Sequence, residues 1–424
     1  MYQINSKYQV FSQLRNQYPV FHYDGFEYSF SDDQLIIHFQ FHTEEIHFSP
    51  SVTLSFGNYL SNELYDNSLD GFIFQIGLIE LISYWKSVCS PIIHIHPYKL
   101  TPKMVEWWKK LYYKGLGEFF YQNSILLNPA DFIQFAFDKN APHAKDLYYH
   151  RMKPSKQIIV PIGGGKDSVV TLEHYVPNHN VIPLIMNPRG ATYECAKIAG
   201  FDSIQSIFII EREIDPRLLK LNQIGYLNGH TPFSALLAFY SVLVGYITNT
   251  RKIALSNESS ANEATIPGTD INHQYSKSHE FEIDFQFYVK KFMNHCVDYF
   301  SYLRPYSELQ IAQMFANYPQ YHHVFRSCNA GSKKNIWCCN CSKCLFAYII
   351  LSPFIEDSKM IQIFGEDLLN KEQLITFFDE LTGIAPNKPF ECVGTIDEVN
   401  EALHMIIKSR ENKLLVQRFI NQNT

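Results

Sequence analysis

Between Gly163 and Ser168 the chain reads Gly-Gly-Gly-Lys-Asp-Ser, after the apolar stretch KQIIVPI and before the helical pattern DSVVTLEHY. Three successive glycines let the backbone close on an anion, a following helix offers unpaired N–H groups, and Lys166 adds a positive charge. Ser168 supplies a hydroxyl donor and Asp167 an oxygen ligand for Mg²⁺. The run is not a Walker A loop, since Val160 stands where its first glycine is needed, and the glycines do not fit GxGxxG. A phosphate-binding loop at Gly163, Gly164, Gly165, Lys166, Asp167 and Ser168 is the expectation.

A second constellation is Cys328, followed by Cys338-x2-Cys341-x2-Cys344, with Cys339 extra. Five of the nine cysteines fall in this stretch, while Cys89, Cys195, Cys296 and Cys392 are scattered. That is no disulfide framework. Four thiolates with two close spacings suit structural, tetrahedral Zn²⁺, and an iron–sulfur cluster is the rival. NHQYSKS places three proton-transfer candidates, His273, Tyr275 and Lys277, within five positions. In SNESSANE, Asn257 and Glu258 follow the apolar run RKIALSN, and Glu258 is a further candidate for Mg²⁺. Arg189 and Arg326 are candidates for anion recognition or for surface ion pairs. His38, His42 and His47 read as ordinary surface positions.

The elements that must position these groups follow from periodicity. From about residue 155, short apolar strands (KQIIVPI, NVIPLIMN, SIQSIFII, RKIALSN) alternate with helices, including PFSALLAFYSVLVGYI, the pattern of βαβ units. Before it, DQLIIHFQF alternates as a half-buried strand, and the preceding FHYDGFEYSF has the same character with an Asp-Gly pair that suits a turn, so an antiparallel meander is expected. FIFQIGLIELISYW reads as a buried helix, PIIHIHPY as a strand and TPKMVEWWKKLYY as a helix opened by a Thr cap and Pro. Beyond Cys344 the chain reads as helical, in KEQLITFFDELTG and VNEALHMIIKSRENKLLVQRFIN. The fold class is therefore α/β: an N-terminal α+β domain over 1–150 with a possible substrate-binding role, a parallel-sheet catalytic domain over 151–350 ending in the cysteine cluster, and a helical region over 351–424.

At 424 residues the core needs no covalent staples. The net charge of −6, with both signs interspersed, disfavours nucleic acid as the main partner. MYQINSKYQVF lacks a signal-peptide pattern and no apolar run reaches the roughly 18 residues a membrane span requires, so a cytoplasmic protein without a membrane partner is expected.

The glycine run resembles the PP-loop, usually Ser-Gly-Gly-x-Asp-Ser, of the ATP pyrophosphatase branch of the adenine-nucleotide α-hydrolase superfamily, with Gly163 in place of the first serine. The resemblance implies that the loop holds the β and γ phosphates of ATP as leaving pyrophosphate while the α phosphate is attacked. Followed by the cysteine spacing, it is similar to 7-cyano-7-deazaguanine synthase, which is much shorter and lacks the first 150 residues. GLGEFFY (115 to 121), IGGGKDS, SNESSANE, NHQYSKS and WCCNCSKC (337 to 344), in this order, together resemble the UDP-N-acetylmuramoyl-L-alanyl-L-glutamate epimerases of bacterial peptidoglycan synthesis. That resemblance implies ATP- and Mg²⁺-dependent inversion of the terminal glutamate of UDP-MurNAc-L-Ala-L-Glu, with release of AMP and pyrophosphate. The alternative is a PP-loop adenylating ligase of the deazaguanine or tRNA-thiolation type.

Overall fold

The computed structural model describes residues 6–31, 33–60 and 69–423. The fold is mixed α/β, with eleven strands and fifteen α-helices among the described residues. The strands are β1 (Val20–Ser31), β2 (Gln34–His42), β3 (His47–Phe48), β4 (Ser51–Ser55), β5 (Ile92–Ile95), β6 (Gln134–Phe137), β7 (Gln157–Pro161), β8 (Asn180–Met186), β9 (Phe208–Glu213), β10 (Lys252–Leu255) and β11 (Asp298–Ser301). They belong to two compact units that are not consecutive in sequence. One comprises residues 1–159, 208–253 and 280–299, the other 160–207, 254–279 and 300–424.

In the first unit, six strands of the large sheet lie in the order β9-β4-β2-β1-β5-β6, with β3 on β2. The expected antiparallel meander is β1, β2 and β4, whereas β5 joins β1 and β6 joins β5 in parallel. Asp24-Gly25 is not a turn: β1 runs through it, with a register shift between Tyr23 and Gly25. The extra residue is absorbed as a bulge, which a glycine without a Cβ tolerates inside a strand. β2 alternates as its sequence does, Leu35, Ile37, Phe39 and Phe41 inward. The helix Asp70–Trp85 is buried nearly all round, as a helix without a polar face must be. It packs on Phe233–Ile247, equally apolar. Its Glu80 is fully buried and accepts both Arg212 Nε (2.7 Å) and Tyr240 Oη (2.9 Å), so the charge is paired and hydrogen-bonded. The helix Pro102–Gly115 starts on Thr101, which accepts Met104 N–H. β7 and β10 pair in parallel, Ile158 opposite Lys252.

The second unit carries the glycine loop. The loop's helix Lys166–Tyr175 packs on Glu308–Ala316, which packs in turn on the buried helix Ser342–Leu351, and this last meets Ile375–Thr382 and Ile396–Arg410. The final helical stretch is two helices, Ile396–Arg410 and Leu414–Asn423, interrupted at Glu411–Lys413. No helix among the described residues is long and apolar enough to cross a membrane.

Candidate active site

The glycine loop is shaped by close backbone packing at one of its three glycines. Gly164 has φ +78°, and a Cβ there would come within 3.0 Å of the Ala191 carbonyl carbon and the Thr192 nitrogen, so backbone packing requires glycine. A Cβ on Gly163 would meet nothing within 4 Å, which leaves the opposite side of the loop open. Arg326 N–H donates to Gly164 O (2.8 Å) and Ser168 Oγ to Gly165 O (3.0 Å), fixing the loop from outside and from its own helix.

Lys166 is buried, and its ammonium lies between Asp167 and Glu308. Burial by itself lowers its pKa, but the two carboxylates outweigh this and hold it above its ordinary value. Glu308, only 4% exposed, is pushed up to about 8 by burial and by the like charges of Asp167 and Glu258, against the pull of Lys166. Glu258 is buried and its Oε2 has no hydrogen-bond partner among the described residues. Three acidic groups in one place, one with an orphaned oxygen, are a donor set that fits a hard divalent cation. Ser256 Oγ and Ser260 Oγ in the same segment are buried as well, without a hydrogen-bond partner among the described residues.

Lys277 faces the same acidic groups. Burial lowers its pKa, and Cys392, Glu258, Asp167 and Glu308 more than reverse that, keeping it charged. One guanidinium ties the segments: Arg304 Nη1 donates to Glu258 O and Nη2 to Lys277 O, both at 2.7 Å. His273 and Cys392 are hydrogen-bonded partners. Burial raises the Cys392 thiol, but Lys277, Lys343 and His273 bring it down to about 6, so it is largely thiolate at neutral pH. Its loop is held where Gln274 Nε2 donates to Val393 O (3.1 Å) and Lys388 pairs with Glu263. The helix after it opens with a capping box, Thr395 and Glu398, and Glu398 Oε1 also accepts Glu308 N–H (2.8 Å). The Cys392 loop and the Lys166–Glu308 pair thus hang on one carboxylate.

Of the residues singled out from sequence, Lys166, Asp167, Glu258, Lys277 and His273 converge here. Asn257 is buried, its N–H donating to Ser301 Oγ (2.7 Å). Tyr275 is 5% exposed and lies in the core. Arg189 is exposed at the start of the helix Gly190–Ile198. Arg326 stacks 5.9 Å from the Trp337 ring centroid. Glu308 and Cys392 were not foreseen. The signal for Glu308 was the capping pattern Ser307-x-x-Gln310 ahead of an apolar run, which marks a helix start without revealing what the helix faces.

The cysteines Cys328, Cys338, Cys341 and Cys344 gather, their sulfurs all within 4.8 Å of one another. Cys338 and Cys344 sulfurs are 3.7 Å apart and Cys341 and Cys344 3.5 Å, near the spacing of about 3.8 Å that a tetrahedron with 2.3 Å metal–sulfur bonds gives. Gly331 N–H donates to Cys328 Sγ (3.1 Å), and a Cβ on Gly331 would sit 2.1 Å from Ile336 O, so only glycine permits this turn. The set fits a four-coordinate metal with no open position. Cys339 points elsewhere, toward Phe364 O (3.2 Å).

Comparison with known proteins gives matches along most of the chain. The family model described as MurL N-terminal domain matches residues 12–302, and that described as MurL C-terminal domain matches 324–423. A UDP-N-acetyl-alpha-D-muramoyl-L-alanyl-L-glutamate epimerase of Xanthomonas oryzae pv. oryzae is 33% identical over 356 residues, 81% of this chain and 76% of that protein. Proteins of the same name from Micromonospora sp. and Salinispora tropica are each 32% identical, over 77% of this chain and 72% and 70% of their own lengths. No solved structure matches.

Proposed function

The chain belongs to the MurL epimerase family and is an isomerase of peptidoglycan precursor synthesis, and from that premise we propose how it inverts the terminal L-Glu of UDP-MurNAc-L-Ala-L-Glu. The glycine loop serves as a PP-loop that binds ATP, and the substrate carboxylate attacks the α phosphate to give an acyl-adenylate and pyrophosphate. A free carboxylate resists loss of its α-proton because a second negative charge would form beside the first. The adenylate carbonyl is neutral and delocalises the carbanion. One protein group then removes the proton, another returns one on the opposite face, and water releases AMP and the D-Glu product.

The observation that supports this reading is the juxtaposition of a charged loop, Lys166 between Asp167 and Glu308, with the Lys277, His273 and Cys392 cluster. Lys166 and the loop N–H groups bind the phosphates. Asp167, Glu258 and Glu308 would hold Mg²⁺, which when bound neutralises phosphate charge. The Cys392 thiolate, held by its hydrogen bond to His273, removes the α-proton on one face, and the Lys277 ammonium returns one on the other. Tyr275 supports them from the core. The four cysteines hold a structural Zn²⁺ that organises the C-terminal segment. We place the UDP-sugar end of the substrate on the N-terminal residues, which shorter PP-loop enzymes lack, and the protein in the cytoplasm, where its nucleotide-linked substrate is made.

Incubation with UDP-MurNAc-L-Ala-L-Glu, ATP and Mg²⁺ in D₂O is expected to give AMP, pyrophosphate and D-Glu deuterated at Cα. AMP without inversion would move the protein to the ligase reading, and absence of both products would refute adenylation. For the metal, Cys341→Ser is expected to lose the bound zinc, with affinity falling by more than the roughly 10–100-fold that loss of an outer partner alone causes. Elemental analysis and the unfolding midpoint measure it, and unchanged zinc content would overturn the assignment.

A further inference from the structure

A row of histidines lies in the first unit, and none of them has a role assigned above. β1 pairs with β2 so that His22 stands opposite His42, and with β5 so that it stands opposite His94, while His42 stands opposite His47 on β3. Side chains two residues apart share a sheet face, which adds His96. The rings confirm the common face. His42 and His22 stack at 4.2 Å, His94 and His96 at 4.2 Å, and His22 and His96 at 5.2 Å. Surface strands vary freely in side-chain type, so imidazoles at neighbouring positions of four strands are not what a solvated face alone produces.

Three of them converge further. His22 Nδ1 and His96 Nε2 are 2.9 Å apart, and His22, His94 and His96 each offer a ring nitrogen within 4.8 Å of the others. Asp138, just beyond β6, takes the second nitrogens: His94 Nε2 at 2.8 Å and His96 Nδ1 at 3.0 Å. A carboxylate on the far side of an imidazole fixes its orientation and raises its basicity, the usual outer partner of a metal-bound histidine. Asp24 holds His42 Nδ1 in the same way (2.6 Å). His94 and His96 are 27% and 28% exposed, His22 is half-buried, and a cleft lined by Asp24, Glu27, Tyr28, Asp70, His96 and Tyr98 opens His96 to solvent.

We propose that His22, His94 and His96 form a binding site for a divalent transition-metal ion of the zinc, nickel and copper class, with Asp138 as the outer carboxylate and one coordination position left to solvent or to an anionic ligand. Nitrogen donors exclude Mg²⁺ and Ca²⁺, which take oxygen. Metal–nitrogen bonds of about 2.0–2.1 Å in a tetrahedral shell separate the nitrogens by about 3.3 Å, so on binding an ion the His22 and His96 rings, now 2.9 Å apart, part by a few tenths of an ångström, with His94 within 4.8 Å of both completing the shell.

The test is equilibrium dialysis of the untagged full chain against buffered zinc, with elemental analysis, for the unsubstituted protein, for His22→Gln/His96→Gln and for Asp138→Asn. The unsubstituted chain is expected to take up one equivalent more than the double variant, with the four-cysteine equivalent unchanged in both. Asp138→Asn should retain the extra equivalent with roughly 10–100-fold lower affinity. Equal zinc uptake by the unsubstituted chain and the double variant overturns the proposal. Far-ultraviolet circular dichroism checks folding, and should the double variant be unfolded, the single His94→Gln decides by the same measure: loss of the equivalent supports the site, retention with unchanged affinity refutes it.

Discussion

Replacing Cys392 by alanine is expected to lower the rate of glutamyl inversion by about 10²–10⁴-fold, the range that a positioned proton-transfer group supplies, while AMP formation persists. The thiol is buried enough that it would stay protonated alone. Lys277, Lys343 and His273 lower it to about 6, so the base form exists above that pH and is lost below it. In the unsubstituted enzyme kcat/KM for inversion should therefore fall as pH drops through about 6, and the alanine variant should lack that limb. Separate assays of AMP release and of D-Glu formation distinguish the two steps. An alanine variant that inverts at more than a tenth of the normal rate would rule out Cys392 as a proton-transfer group, and a parallel fall in AMP release would assign it to adenylation instead.

Lys166→Met is expected to cost about 1–3 kcal/mol of stability at neutral pH, because Glu308, already held up near 8, is pushed higher, takes up a proton and loses its buried charged partner. Asp167 contributes less to this figure, being 31% exposed and screened by solvent, so Glu308, 4% exposed, decides the effect. Urea unfolding measures it. In the double variant Lys166→Met/Glu308→Gln neither partner of the pair remains, and the loss should be smaller than the sum of the two single losses by about 0.5–3 kcal/mol. Additivity would mean that the pair does not interact. Nucleotide binding should fail in both variants that lack Lys166, for want of the cation in the loop.

Much of the local structure was legible because periodicity is a local signal. The alternation of Leu35, Ile37, Phe39 and Phe41, the all-apolar Phe233–Ile247 and the Thr101-Pro102 start each declare an element within a dozen residues. Asp24-Gly25 misled because the same dipeptide that favours a hairpin turn also accommodates a bulge, and the choice falls to pairing partners that lie elsewhere in the chain. The sequence suggests consecutive domains, whereas the compact units interleave through residues 208–253 and 280–299, which no local pattern announces. The glycine loop and the cysteine cluster could be seen because their residues are adjacent. Glu308 is separated from Lys166, and Cys392 from Lys277, by more than a hundred residues, and a single Glu or Cys carries no spacing to read. Likewise His42 and His47 looked like ordinary surface positions because their companions His22, His94 and His96 come from other strands.

Arg304 holds the carbonyl of Glu258 with one arm of its fork and that of Lys277 with the other. A planar guanidinium satisfies both only while their separation stays fixed, which a lysine's point charge would not enforce. On the proposed adenylation, what this single side chain would govern is stoichiometry. With the Glu258 and Lys277 segments locked in register, each adenylate formed would lie within reach of its base before water arrives, so one ATP would yield one inverted centre. With the register loose, hydrolysis would return unchanged L-Glu and leave a slow, substrate-dependent ATP pyrophosphatase.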